Sequence, residues 1–153
     1  MDACREELRA IWAKVSESTL PFSNVWIAHK MASSIPGDSV LFLGILNTLR
    51  TWNYFDIPDS VYGYANTGGF GIDGYISSFM GASLVHPDKL YFCVAGDLAF
   101  FYDMNVLGNR HVGRNVRILL VNNGKGTEFR NYMHPGAAFG EEADKYICLL
   151  YTS

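Results

Sequence analysis

The chain has no apolar run approaching the ~20 residues of a membrane-spanning helix, and its first residues lack the apolar core of a signal peptide. Neither a membrane span nor a secretory leader is expected, and a cytoplasmic location is. A basic surplus is also missing: 12 Lys and Arg stand against 15 Asp and Glu, for a net charge of −3, and the cations are scattered. Nucleic-acid binding therefore has no electrostatic footprint here. Cysteine is scarce. Cys4, Cys93 and Cys148 are odd in number and far apart, without the paired spacing of a zinc site or a disulfide framework, so reduced thiols are expected. No internal repeat and no low-complexity segment is present. What remains is an ordinary globular composition of 153 residues, enough for one domain that buries about two-thirds of its unfolded surface.

Residues 2–16 place Leu8, Ile11, Trp12 and Val15 at helical spacing between charges, which predicts an amphipathic helix. Pro21 interrupts it, and Ser23 can cap a second helix whose inward positions include Val25, Ile27, Ala28 and Met31. Pro36, Gly37 and Asp38 make a turn before a strand at residues 40–43 that stops at Gly44. Residues 45–52 read as a short helix, residues 53–60 as a loop holding Pro58, and residues 61–65 as another strand. Strands alternating with helical or irregular connections predict an α/β fold, a three-layer sandwich around a mainly parallel sheet.

The most informative stretch is residues 90–129. Residues 90–95 are apolar, aromatic and β-branched, as in a strand buried on both faces, and Gly96-Asp97 ends it. Phe100, Met104 and Leu107 then recur at helical spacing within residues 98–108, with Gly108 suited to the C-terminal cap. Residues 116–121 make a further buried strand that ends at Asn122-Asn123. A helix of about eleven residues climbs roughly 16 Å, and a strand of about six covers roughly 20 Å. The helix can therefore return the chain so that the second strand runs parallel to the first in a right-handed crossover. If the strands are close neighbours, Asp97 and Asn123 meet at the carboxyl edge, where open α/β sheets bind ligands.

Asp97 also begins a helix, where N–H groups and the dipole favour an anion. A carboxylate beside an anion implies a cation between them. One carboxylate oxygen, one amide oxygen and nearby backbone carbonyls suit a Mg²⁺ that takes its other ligands from phosphate and water. The plain alternative for Asp97 is a helix N-cap, which leaves the Asn-Asn pair unexplained. Residues 66–74 follow the earlier strand and open a helix; Gly68, Gly69 and Gly71 there permit positive φ and close backbone approach to a flat ligand, unless the segment is only a glycine-rich turn. The helix that follows, to about residue 85, carries Ile76, Phe79 and Met80 on one side and Gly74, Ser78 and Gly81 on another, a small face against which a helix can pack.

Taken together, GDLAFFYDMNVLG (residues 96–108), ANTGGFGIDG (residues 65–74) and NNGKGTEF (residues 122–129) resemble the signatures of thiamine-diphosphate-dependent enzymes. Within that family the likeness is closest to the synthases of menaquinone biosynthesis, with related acetolactate-synthase-like proteins, and it covers about residues 39–129. It implies the thiamine-diphosphate-binding fold, and in it the domain that holds the diphosphate end of the cofactor. By the resemblance, Asp97 and Asn123 bind Mg²⁺ through side-chain oxygens and Lys125 through its carbonyl. Gly96, Leu98 and Ala99 line the diphosphate, with Gly126 and Thr127 beside them on the loop. Gly68, Gly69, Phe70 and Gly71 approach the aminopyrimidine, and Ile72 is the bulky apolar residue that props the cofactor in its bent form. Arg50 falls at a carboxylate-binding arginine, and Phe129 at an aromatic beside the substrate; a core Phe and a solvated Lys125 side chain are the plain alternatives. His134 can face the substrate, whereas His29, His86 and His111 are expected to cover surface or cap turns. Two departures stand out: Thr67 replaces a second substrate arginine, and Ile45-Leu46 replace a small polar pair.

The resemblance implies chemistry on a 2-oxo acid, in which the cofactor accepts the electrons left by decarboxylation and passes an acyl carbanion to a proton or an acceptor carbonyl. In this family the activating glutamate lies on a pyrimidine-binding domain of the same or another subunit. No catalytic residue is thus expected in this chain, which would not be active alone. Its expected partners are that domain, further copies in a homodimer or homotetramer, and the 2-oxo acid. Residues 1–36 are expected to form a helical lead-in or the end of an interdomain connection, and residues 37–147 the diphosphate-binding domain. Residues 139–146 start a helix that the chain does not complete, so residues 148–153 are expected to be foreign to the natural protein. The alternatives are a separate diphosphate-binding subunit of a two-chain decarboxylase and a noncatalytic α/β cofactor-binding module.

Overall fold

The computed structural model describes residues 2–13, 20–69 and 71–147. Among these, β1 (Val40–Leu43), β2 (Tyr62–Ala65), β3 (Tyr91–Gly96) and β4 (Val116–Val121) form one parallel sheet in the spatial order β2-β1-β3-β4. Alternation along each strand divides the apolar residues between the two faces. Val40, Phe42, Tyr91, Cys93 and Ala95 pack on one side against Tyr75, Ile76, Phe79 and Met80 of α4 (Tyr75–Ser83) and Ala99 of α5 (Asp97–Asp103). Leu41, Leu43 and Val94 pack on the other against Ala28 of α2 (Asn24–Met31) and Trp52 of α3 (Asn47–Trp52). The result is the three-layer α/β sandwich that the alternation predicts. Leu41, Ile76 and Phe79 are fully buried, each contributing roughly 1.5–3 kcal/mol.

The connections place the site. From β1 the chain passes through α3 on one face to β2, then through α4 on the opposite face to β3, on the far side of β1. The chain therefore leaves the carboxyl ends of β1 and β3 toward opposite faces. A crevice opens between them at this switch in strand order. The β3–β4 register pairs Gly96 with Val121, so Asp97 and Asn122-Asn123 emerge side by side at that edge.

Local signals explain the helix starts and some of the departures. Ser23 caps α2, its hydroxyl accepting the Trp26 N–H at 3.2 Å. Met31, expected inward, is exposed, while Ile27 and Ala28 carry the packing. In the first helix, α1 (Asp2–Trp12), Trp12 lies over Phe55 with ring centroids 4.8 Å apart, but Ile11 is exposed; Val15 falls outside the described residues. The helix expected over residues 98–108 is α-helical only to Asp103 and continues as a 3₁₀ stretch, Met104–Gly108. Met104 and Leu107 are 43% and 38% exposed, and Phe100 with Val106 packs against the core instead. The single helix expected over residues 139–146 is broken by Gly140 at φ 53°, outside helical space; 3₁₀ turns precede it and α6 (Asp144–Ile147) follows. The small face of α4 points to solvent, with Ser78 and Gly81 exposed. Residues 148–153 lie outside the described residues.

Candidate functional site

A cavity of about 700 Å³ fills the crevice. Residues 44–48 after β1, 96–99 after β3 and Asn123 with 125–129 after β4 line it, with Gly71, Ile72 and Asp73 ahead of α4 and His134 beyond. A volume of this size suits a small-molecule ligand. A second cavity, of about 550 Å³, lies between α1, α3 and the β2 edge, and it takes in none of the candidate site residues, only Thr67 at one of the two departures.

The walls follow from local backbone demands. Gly44 donates its N–H to the Val94 carbonyl at 2.9 Å, and a Cβ there would sit 3.2 Å from that same oxygen, a tight contact that glycine avoids where β1 turns away. Two residues on, Leu46 has φ 66° and ψ −120° at the start of α3. Such a conformation strains a non-glycine residue by of order 1–3 kcal/mol, and it occurs on the cavity wall. Beneath the floor, the Tyr75 hydroxyl lies 3.0 Å from the Phe42 carbonyl and 2.9 Å from that of Val94, bracing β1 against β3, and accepts from the Cys93 thiol at 3.3 Å. Burial raises the pKa of Tyr75 and pushes the Cys93 thiol up to about 12. Both groups are neutral and structural.

Asp97 is 3% exposed and accepts three backbone N–H groups. Its Oδ1 takes Leu98 at 2.7 Å, and its Oδ2 takes Asn123 at 2.9 Å and Gly124 at 2.6 Å. The carboxylate thus fastens the loop after β4 onto the start of α5. Gly96, not Asp97, holds the N-cap position, and no side chain bonds to the cap. The loop is shaped by Asx turns: Asn122 Oδ1 accepts the Gly124 N–H and Asn123 Oδ1 the Lys125 N–H, each at 3.2 Å, while Gly124 takes φ 76°.

Charges at the rim are paired. Arg50 on α3 gives Nη1 to both oxygens of Glu128 at 2.9 and 2.7 Å. Beside this pair, the Asn47 amide is 3.1 Å from the Thr127 hydroxyl. Lys125 meets Asp144 at 3.1 Å, and Arg130 bonds the other oxygen of that carboxylate at 3.0 Å. These two cations, Arg130 first, hold the Asp144 carboxyl below its ordinary range. Phe129 meets His134 edge to face at 5.0 Å, and His134 Nδ1 accepts the Gly136 N–H at 3.0 Å, so a neutral ring carries its proton on Nε2.

No profile of a known protein family matches the chain. Individual curated proteins do. Over 134 residues it is 35% identical to a 2-succinyl-5-enolpyruvyl-6-hydroxy-3-cyclohexene-1-carboxylate synthase of Bacteroides fragilis, covering 88% of this chain and 24% of that protein. Synthases of the same name from Christiangramia forsetii and Phocaeicola vulgatus are 37% and 38% identical over 128 residues, 84% of this chain and 22% of each relative. The chain belongs to the thiamine-diphosphate-dependent enzyme family. It spans about a quarter of the length of the relatives it matches.

Against this family's pattern, the structure gathers Gly96, Asp97, Leu98, Ala99, Asn123, Lys125, Gly126, Thr127 and Phe129 around one cavity, and brings Gly71 and Ile72 to its opposite wall. Ile72 also packs against the core beneath α4. Gly68 and Gly69 are exposed and off the lining, and Phe70 lies outside the described residues. Arg50 is not on the lining either; Glu128 stands between it and the cavity. The sequence reading missed Tyr75, Asn47, Glu128 and Asp144. Of these, Asn47, Tyr75 and Glu128 had a usable signal, since each lies within three positions of a residue the thiamine-diphosphate resemblance singled out.

Proposed function

We propose that this chain holds the Mg²⁺-diphosphate end of thiamine diphosphate, within an enzyme that decarboxylates a 2-oxo acid and transfers the acyl fragment. The observation that carries the reading is the buried Asp97 carboxylate at the carboxyl end of β3, with the Asn123–Lys125 turn folded onto it at the mouth of the cavity. A carboxylate offers about four lone-pair sites, and the Leu98, Asn123 and Gly124 N–H groups engage three. One cation contact is left. Among the described residues no group of three or more His, Cys, Asp or Glu is placed to hold a metal. That is consistent with a Mg²⁺ that keeps waters and takes phosphate oxygens, and not with an all-protein cage.

In this reading Asp97, Asn123 and the Lys125 carbonyl hold the metal. Gly96, Leu98, Ala99, Gly126 and Thr127 surround the diphosphate, Gly71 approaches the ring, and Ile72, backed by the core, props the bound cofactor. Phe129 and His134 face the substrate end. When bound, the cofactor supplies the electron sink for decarboxylation; the chain supplies position and an enclosure that excludes water. Residues 37–147 are the diphosphate-binding unit, and the group that activates the cofactor comes from a pyrimidine-binding domain elsewhere. The reading is tested by thermal unfolding of the chain. Thiamine diphosphate at about a hundred times its dissociation constant adds about 2.7 kcal/mol, so it is expected to raise Tm with Mg²⁺ and not with EDTA, and unphosphorylated thiamine is expected to leave Tm unchanged. Equal shifts from thiamine and its diphosphate, or no shift, contradict it.

A further inference from the structure

Glu128 lies where a ligand's charged group would otherwise meet Arg50. It lines the cavity, whereas Arg50 sits behind it and places one guanidinium nitrogen on both carboxylate oxygens, at 2.9 and 2.7 Å. Among the described lining residues Lys125 is the one Lys or Arg, and it is bonded to Asp144. Beside Glu128 stand the uncharged Asn47 amide and Thr127 hydroxyl, 3.1 Å apart, and Ile45, Leu46 and Phe129 complete the lining there. A carboxylate on a ligand entering this end meets the like charge of Glu128, with no unpaired Lys or Arg on the described lining to offset it. To reach Arg50 it must displace a carboxylate already tethered in the same chain, at high effective concentration. Like charges brought together at a binding surface are a strong element of discrimination.

We propose that Glu128 is a specificity-determining residue: by occupying Arg50 it removes the carboxylate clamp from this end of the cavity, so the site takes a 2-oxo acid or acceptor whose distal group is uncharged. The inference rests on the thiamine-diphosphate reading for the identity of the reacting end, but its test reads the cavity wall. Equilibrium binding to the full 153-residue chain is measured for two probes, 2-oxoglutarate and its isostere with an isopropyl group in place of the distal carboxylate. The unmodified chain is expected to prefer the isostere by about tenfold, equivalent to about 1.4 kcal/mol. Glu128→Gln keeps the shape and frees the guanidinium, so it is expected to abolish or reverse that preference. Adding Arg50→Ala to Glu128→Gln is expected to restore the preference for the isostere, which a merely structural role of Glu128 would not do. Preference of the unmodified chain for 2-oxoglutarate, an unchanged ratio in Glu128→Gln, or no binding of either probe overturns the proposal. Thiamine diphosphate uptake is measured separately on the same protein, and its failure counts against the cofactor reading alone.

Discussion

The Asp97 carboxylate accepts the Gly124 N–H at 2.6 Å, across 27 positions of sequence, and by this bond the end of β3 holds the loop after β4. Asp97 therefore has a structural part besides any metal it binds. Asp97→Ala strips the acceptor from three N–H groups and is expected to destabilise the chain by about 1–3 kcal/mol, read as a lower urea midpoint, together with loss of Mg²⁺-dependent binding. Asn123 is exposed. Asn123→Ala is expected to change stability by within about 0.5 kcal/mol while lowering Mg²⁺-dependent affinity, which makes it the cleaner probe of the metal site. Unchanged affinity in Asn123→Ala would remove that residue from the ligand set.

Tyr75→Phe removes the hydroxyl that braces the Phe42 and Val94 carbonyls of neighbouring strands. Because Val94 keeps the Gly44 N–H, the expected loss is modest, about 1–2 kcal/mol. Chemical unfolding of the variant at neutral pH measures it. A neutral effect would mean that the brace adds nothing to the sheet.

Asp144 is expected to contribute to the acid response. Arg130 and Lys125 lower its folded-state pKa beneath the unfolded value, which is about 3.9. The contribution is therefore fully present above the unfolded pKa and is lost as pH falls through the folded one. Wild type is expected to lose stability more steeply than Asp144→Asn below about pH 4, so that the two curves converge in acid. Parallel curves would place the acid sensitivity elsewhere.

The cysteines should separate by reactivity. Cys93 is buried, hydrogen-bonded to Tyr75 and raised to about pKa 12, whereas Cys4 is exposed. The thiolate is the reacting form. Native-state alkylation at about pH 8 followed by peptide mass spectrometry is expected to label Cys4 and to label Cys93 only after unfolding. Native labelling at Cys93 would show that the core under α4 opens.

The strands were legible as short apolar runs ended by Gly, Asp or Asn. Val40–Leu43 is buried throughout, as its run predicts; Val116–Val121 falls in place but, at the end of the described sheet, is only half-buried with Arg117 exposed, where full burial is expected. The meeting of Asp97 with the Asn122-Asn123 turn was legible too, since strand and helix lengths dictate it. Helix phase was less so: Met104 and Leu107 have the spacing of a buried face but are exposed. The Arg50–Glu128 pair joins residues 78 positions apart, and no local pattern announces such a contact. It is created by the fold, which sets the loop after β4 against α3. Gly68 and Gly69, which the sequence left between a ligand-approaching segment and a plain glycine-rich turn, are exposed and off this lining.

Calorimetric titration of thiamine diphosphate into this chain, alone and together with the pyrimidine-binding domain proposed to complete its site, with Mg²⁺ and with EDTA, bears most directly on the account. The expected result is saturable binding at one site per chain that EDTA abolishes and Mg²⁺-pyrophosphate competes away. Binding indifferent to EDTA and to pyrophosphate, or no binding at all, would contradict the assignment of this cavity to the metal-diphosphate end of the cofactor.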